Sequence, residues 1–307
     1  MKSIRRFAVL ISCCVLSGCF LQQDPPQPQG QPVTPAITTD GLVTLVDVRE
    51  GNRGGAELDA VFGPHEAGGG QATPAQSRVQ QRRWLHRILT RQRSVIRGTD
   101  CQRQKGTPAP SSPDTTVYYD AGAVTFGPDL QTTFEPVQED PTSHLYSLTD
   151  LVSPFPTGDY QFQTAGTKQV PAIAAELAIP EPLDGVTVNG TSIAQSGFTI
   201  SRGQPLQVEW NPPDVPNDQN IMLLVLESQN STEIEALQCQ GLETDVSGSA
   251  SSVASWSIDP EWLADLIDGS GAQLYFIREI SLKGTSGTLQ MELDGVRIWN
   301  TRVTIGD

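Results

Sequence analysis

Histidine and cysteine are scarce in this chain of 307 residues, with three of the first and five of the second. Metal centres draw on imidazole and thiolate ligands, so little is left to build one. Aromatic residues make up 6% and apolar residues 37% of the chain, below the roughly 45–50% of an ordinary soluble domain. Positive charge is short too. Twenty Lys and Arg face 35 Asp and Glu, for a formal charge of -15. Phosphate backbones demand cations, so nucleic acid is excluded as a general partner. No G-x-S-x-G elbow, HExxH pair or G-x-x-x-x-G-K loop occurs. His65-Glu66 runs into Ala67 and three glycines, so it forms no helical zinc pair. His144 stands alone in an expected strand. Asp214, Asn217, Asp218 and Asn220 make an oxygen-rich loop, but their spacing fits no EF-hand and reads as a solvated turn. No catalytic residue, metal or cofactor is assigned.

Long hydrophobic runs are missing as well. The strongest, Phe7 to Leu16, has ten residues, whereas a bilayer span needs about 20. Preceded by Lys2, Arg5 and Arg6, it has the length and charge of a secretory signal. It ends in Leu16-Ser17-Gly18-Cys19, which resembles the lipobox of bacterial lipoproteins. That resemblance implies a diacylglycerol on Cys19, cleavage before it and acylation of the new amino group. Residues 1–18 carry three cations and no acid, so the mature charge becomes 17 minus 35, or -18. Phe20 rather than Asp follows Cys19. In the sorting rule of that family, this favours the outer over the inner membrane.

Glycine and proline, at 28 and 23 residues, are what the chain has in plenty. Five prolines and five glutamines fall within residues 20–40, a composition that buries no core. Residues 19–40 are therefore expected to be the lipidated cysteine and an extended tether. Beyond it the chain reads as mainly β, as two sandwich-like domains at 41–180 and 181–307. Leu42–Val48, Val117–Tyr119 and Ala123–Phe126 are expected strands, the last two bracketing an Asp120-Ala121-Gly122 turn. In the second domain Leu206, Val208 and Trp210 alternate with Gln207 and Glu209, and Ile221–Leu226 is continuously apolar. Leu274–Ile280 and Val296–Ile305 complete the set. A short helix is expected at about 260–268, capped by Asp259 and ended by Gly269. Gln204 to Pro213, with Trp210 before two prolines, resembles the second strand of fibronectin type III modules. The resemblance implies an immunoglobulin-like sandwich over 181–307 and no particular function.

Against the acidic background, Arg78 to Lys105 holds nine Lys or Arg and one acid, Asp100. At 100° per residue, Trp84, Leu85, Ile88, Leu89, Val95 and Ile96 fall within one arc of about 140°. Arg82, Arg83, Arg87, Arg91, Arg93 and Arg97 fall on the other side. Thr73 and Pro74 start the period and Gly98 ends it, so an amphipathic helix is expected at about 74–97. Three roles fit it: packing on the first β-domain, contact with an anionic membrane surface, or docking of an acidic partner.

Cys101 and Cys239 are the remaining thiols of the mature chain apart from Cys19. In an oxidising envelope they are a candidate disulfide, or two separate buried thiols. The reading as a whole is a lipid-anchored envelope protein, non-catalytic, with the membrane as partner through its anchor and a protein or glycan ligand unspecified. Two alternatives stand beside it. One is a hydrolase with a site of dispersed carboxylates. The other is an assembly factor that meets anionic surfaces through the basic helix.

Overall fold

Two strands of 18 residues each organise the molecule: β17 (Gly269–Ser286) and β18 (Leu289–Gly306), joined at Gly287-Thr288. Gly287 has φ +61°, a conformation suited to a residue without Cβ at this tight reversal. The hairpin is about 60 Å long at 3.3 Å per residue. The computed structural model describes residues 38–50, 53–64, 100–106, 118–127, 132–134, 136–137, 144–151, 153–195, 197–213, 219–229, 234–246, 253–267 and 269–307. Cys19, the tether to residue 37, His65-Glu66, the loop 214–218 and the expected helix 74–97, with the arginines from Arg82 to Arg97, lie outside them.

One edge of β18 pairs in parallel with β1 (Thr39–Glu50), Thr39 opposite Leu289 and Glu50 opposite Asn300. Thr39 and Asp40, the end of the expected tether, thus belong to a strand. Farther along the same edge β12 (Phe198–Ser201) takes over. The sheet continues from β1 through β2 (Arg53–Pro64), β7 (Leu145–Leu151) and β6 (Pro136–Val137). On the other side β17 pairs with β14 (Ile221–Gln229), followed by β15 (Ile234–Leu242) and β3 (Asp100–Gly106). This ten-stranded sheet draws on both expected domains, and Ala36–Asp307 forms a single compact unit.

Two four-stranded sheets cover one face of it. The first has the order β5 (Thr132–Phe134), β4 (Val124–Gly127), β8 (Gly158–Thr164), β9 (Ile173–Ile179). The second has the order β11 (Thr191–Ser192), β10 (Asp184–Val188), β13 (Leu206–Asn211), β16 (Ala254–Ile258). Each encloses its own core. Phe126, Phe162 and Leu177 pack on Val43, Leu45, Phe62 and Met291. Val208, Trp210 and Trp256 pack on Leu224, Phe276 and Val303. The protein is thus mainly β, with sandwich-like sheets that share one long wall.

Local sequence accounts for these elements. Leu206, Val208 and Trp210 are each 0% exposed while Gln207 and Asn211 face water, because a pleated strand sends alternate residues to opposite faces. The apolar run in β14 is buried on both sides: Met222, Leu224 and Leu226 enter the core with Trp210, while Leu223 and Val225 join a cluster on the other face. Asn189 (φ 48°) and Gly190 (φ 76°) form the turn between β10 and β11. Three expectations need correction. The helix at 260–268 is a single turn, Pro260–Leu263, after which Leu266 is buried in a turn. Asp259 occupies its N-cap position without a side-chain cap bond. Tyr118 and Tyr119 are not strand; the Tyr119 amide donates to the Phe62 carbonyl at 2.7 Å, past the end of the β7 pairing.

The Asp120–Gly122 turn carries a titration. The Asp120 carboxylate accepts the Gly122 amide at 2.8 Å and the Tyr146 hydroxyl at 2.9 Å. The Gly122 amide, opposed by desolvation and helped by Tyr146 and His144, holds its pKa below the ordinary value. A carboxyl depressed in the folded state stabilises above its unfolded pKa, about 3.9, and loses that contribution as pH falls through the folded value. Asp120→Asn should therefore be less stable than the parent at pH 7, with the gap closing below about pH 4. Urea midpoints from pH 7 to pH 3 check this; a gap that widens in acid would contradict it.

Candidate functional site

Charged residues gather where the chain passes from one core to the other. Asp47 of β1 lies opposite Arg297 of β18, and Arg297 lies opposite Arg278 of β17. The alternation that buries Val43 and Leu45 also turns Asp47 inward, so all three share a row on the covered face. None is more than 3% exposed. Gly295 precedes Arg297 on the same face. A Cβ there would overlap the Ala178 carbonyl, so glycine lets the end of β9 cross the hairpin at close range.

The two arginines hold the crossing segment. Arg297 pairs with Asp47 and donates from Nε to the Pro180 carbonyl at 2.9 Å. Asp47 also accepts the Ser153 hydroxyl at 2.6 Å and the Phe155 amide at 2.9 Å. Arg278 donates from Nη1 to the carbonyls of Glu181 (2.9 Å) and Pro182 (3.0 Å), and from Nη2 to Glu243 at 2.6 Å. Glu243 opens the one-turn helix α1 (Glu243–Val246) and further accepts Trp210 Nε1 at 3.1 Å and Asn220 Nδ2 at 2.6 Å. Trp299 Nε1 donates to Leu183. Four consecutive carbonyls, 180 to 183, are thus taken by side chains of the hairpin. Burial lowers the Arg297 pKa and the Asp47 charge opposes that drop.

This chemistry is that of a clasp. Each buried carboxylate is neutralised by an arginine and filled by further donors, which is what a buried charge requires. Neither is arranged to exchange a proton with a substrate. Among the described residues, no group of three His, Cys, Asp or Glu could hold a metal ion, and no helix is long and apolar enough to cross a membrane. Asn220, the described member of the oxygen-rich loop, is buried against Glu243. His144 immediately precedes β7 rather than lying within a strand.

Cys101 and Cys239 are register partners of β3 and β15 and are joined by a disulfide with S–S 2.02 Å. It secures β3, an edge strand among the described residues, to its neighbour β15. Arg103, two residues on, lies over the Trp262 ring at 5.8 Å and pairs with Asp265 in the turn after the second short helix, α2 (Pro260–Leu263). The basic stretch therefore begins to be neutralised by this chain's own acids where it enters the sheet. Sequence reading passed over Asp47, Glu243, Arg278 and Arg297. The available signal was parity: Val43-x-Leu45-x-Asp47 puts a charge on a face otherwise apolar.

No family model matches this chain, and no curated protein matches it. Among solved structures, the native conformation of E. coli alpha-2-macroglobulin aligns with 87% of the chain at 12% identity and a TM-score of 0.17. The chain spans 14% of that protein's length.

Proposed function

We propose that this chain is a lipid-anchored module of the bacterial cell envelope, held at the outer membrane through Cys19, that binds or braces a partner without catalysis. The observation that carries the reading is the order of its parts: a basic, ten-residue apolar leader, the Leu16–Cys19 box, a Pro/Gln tether, then a β fold. At about 3.1 Å per residue, an extended tether of this length sets the fold up to roughly 60 Å from the lipid. The clasp supports a bracing role, since it ties both sandwich cores to one hairpin. Its carboxylates are committed to arginines, which argues for binding over hydrolysis. The two sandwich-like layers around Trp210 are compatible with an immunoglobulin-like reading of 181–307, a scaffold that presents protein or glycan ligands on loops.

The test is processing. Mass spectrometry of the native N-terminus is expected to find a lipidated Cys19, and Cys19→Ala should accumulate as precursor or leave the membrane fraction. Normal maturation and retention of that variant would overturn the proposal.

A further inference from the structure

Strand β3, at one edge of the ten-stranded sheet, is built unlike the strands it extends. Its sequence, Asp100-Cys101-Gln102-Arg103-Gln104-Lys105-Gly106, has no apolar side chain except that of Cys101. Burial of apolar area, the main attraction between packed elements, is therefore nearly absent from it. Its ladder to β15 runs from Gly106 opposite Ile234 to Asp100 opposite Gln240. Such bonds on an edge replace bonds to water, and each contributes little. Two described side chains, Cys101 and Arg103, hold the strand beyond that ladder. Cys101 is bonded to Cys239 directly opposite. Arg103, opposite Leu237, donates from Nε to the Trp262 carbonyl at 3.2 Å, reaches the Glu261 carbonyl and pairs with Asp265. The side chains of Arg103 and Asp265 are 28% and 63% exposed, so water screens that pair and its net value is small. The disulfide is the stronger of the two ties.

We propose that the Cys101–Cys239 disulfide is a redox latch on this edge: its reduction by a dithiol releases β3 from β15 while both sandwich cores stay folded. The two sulfurs are not equivalent. Cys239 is 0% exposed within the core of Trp210 and Trp256, whereas Cys101 is only partly buried at the rim of that core. An incoming thiolate therefore attacks Cys101 Sγ. The S–S bond breaks, Cys239 Sγ leaves with the bonding pair and takes a proton, and a mixed disulfide forms on Cys101. The second thiol of the reductant then attacks the reductant's own sulfur in that mixed disulfide, and Cys101 is released as a thiol. Two electrons and two protons pass to the protein, and the dithiol becomes an internal disulfide. The release is local because the fold does not run through β3. β15 keeps its nine register pairs with β14, and the core around Cys239 is walled by β13, β14, β16 and β17. A buried thiol behaves as a small apolar group, so reduced Cys239 stays where it is. What opens is the outer edge of β15, beside Leu237 and Cys239, both 0% exposed while the latch is shut. An oxidising compartment keeps the latch shut.

Hydrogen exchange of the full, unlipidated chain, read by mass spectrometry with and without dithiothreitol, tests the latch. Alkylation mapped to Cys101 and Cys239 reports how far the bond has been reduced. On reduction, the amides of β3 and those of β15 that face it should exchange faster by about tenfold or more, while β13, β17 and β18 stay as they were. Cys101→Ser without reductant should show the same pattern, since it keeps the Cys239 thiol in the core and removes only the bond. Arg103→Gln in the oxidised chain should leave the protection of β3 within about twofold of the parent. Four results would each overturn the proposal: β3 still protected in the reduced chain or in Cys101→Ser, β3 freed by Arg103→Gln alone, protection lost throughout the sandwich cores on reduction, or a bond that excess dithiothreitol leaves intact.

Discussion

Arg297→Met is expected to destabilise the folded chain by about 3–5 kcal/mol, the usual consequence of stranding one half of a buried ion pair. Asp47 is 2% exposed and keeps the Ser153 hydroxyl and Phe155 amide, but neither carries the positive charge that offsets its desolvation. The loss also frees the Pro180 carbonyl, so the segment crossing between the cores is loosened. The double variant Arg297→Met/Asp47→Leu separates charge from packing. Buried pairs replaced by apolar side chains of similar volume are often neutral or better, so it should recover most of the lost stability. Urea denaturation of the purified chain, with midpoint and slope compared across the parent and the variants, is the measurement. A single variant within about 0.5 kcal/mol of the parent would mean that water reaches Asp47, and the clasp would then have no energetic role.

What the sequence made legible was local. The alternation in β13 announced its buried face because one side of the strand is wet and the other is dry. The continuous run in β14 announced burial on both sides. Turn chemistry placed Asp120–Gly122 correctly, since an Asx bond and positive φ are properties of a few consecutive residues. The long hairpin was seen only in pieces, 274–280 and 296–305. Its lower halves carry Ser281, Lys283, Glu292 and Asp294, which interrupt the apolar pattern although Asp294 is buried. Periodicity assigns charge to solvent, and it has no means of knowing that a neighbouring strand supplies the counter-charge.

Pairing at a distance was illegible for a different reason. Thr39 lies beside Leu289 across 250 residues of chain, and no local pattern encodes that parallel register. A boundary at 180/181 follows naturally from composition, and the structure passes from β9 to β10 there. Yet β1, β2 and β3, all from before that point, extend the sheet to which β14, β15, β17 and β18 belong. The clasp was missed because its four charged members stand far apart in sequence and converge only once the hairpin, β1 and α1 are assembled. Cys101 and Cys239 could be named as candidates from their number alone, while their facing positions on β3 and β15 required the register.

Trp210→Ala should cost about 3–5 kcal/mol, the range for truncating a buried large aromatic. The side chain is 0% exposed, packs on Phe276 with ring centroids 5.1 Å apart, and sits among Leu224, Val208 and Trp256. Truncation would leave a void that strands on both sides, held in register by their own ladders, close only in part. The indole also donates to Glu243, the partner of Arg278, so the substitution reaches the clasp. Trp210→Phe divides the two contributions. It keeps most of the ring and removes the N–H, which should cost about 1–3 kcal/mol through the weakened satisfaction of a buried carboxylate. Adding Arg278→Met should then be less than additive with Trp210→Phe, because both act on Glu243, whereas Trp210→Phe and Arg297→Met, which share no partner, should add within about 0.5 kcal/mol. Full additivity in the first pair would show that the tryptophan matters to the core alone and that Glu243 does not link it to the crossing segment.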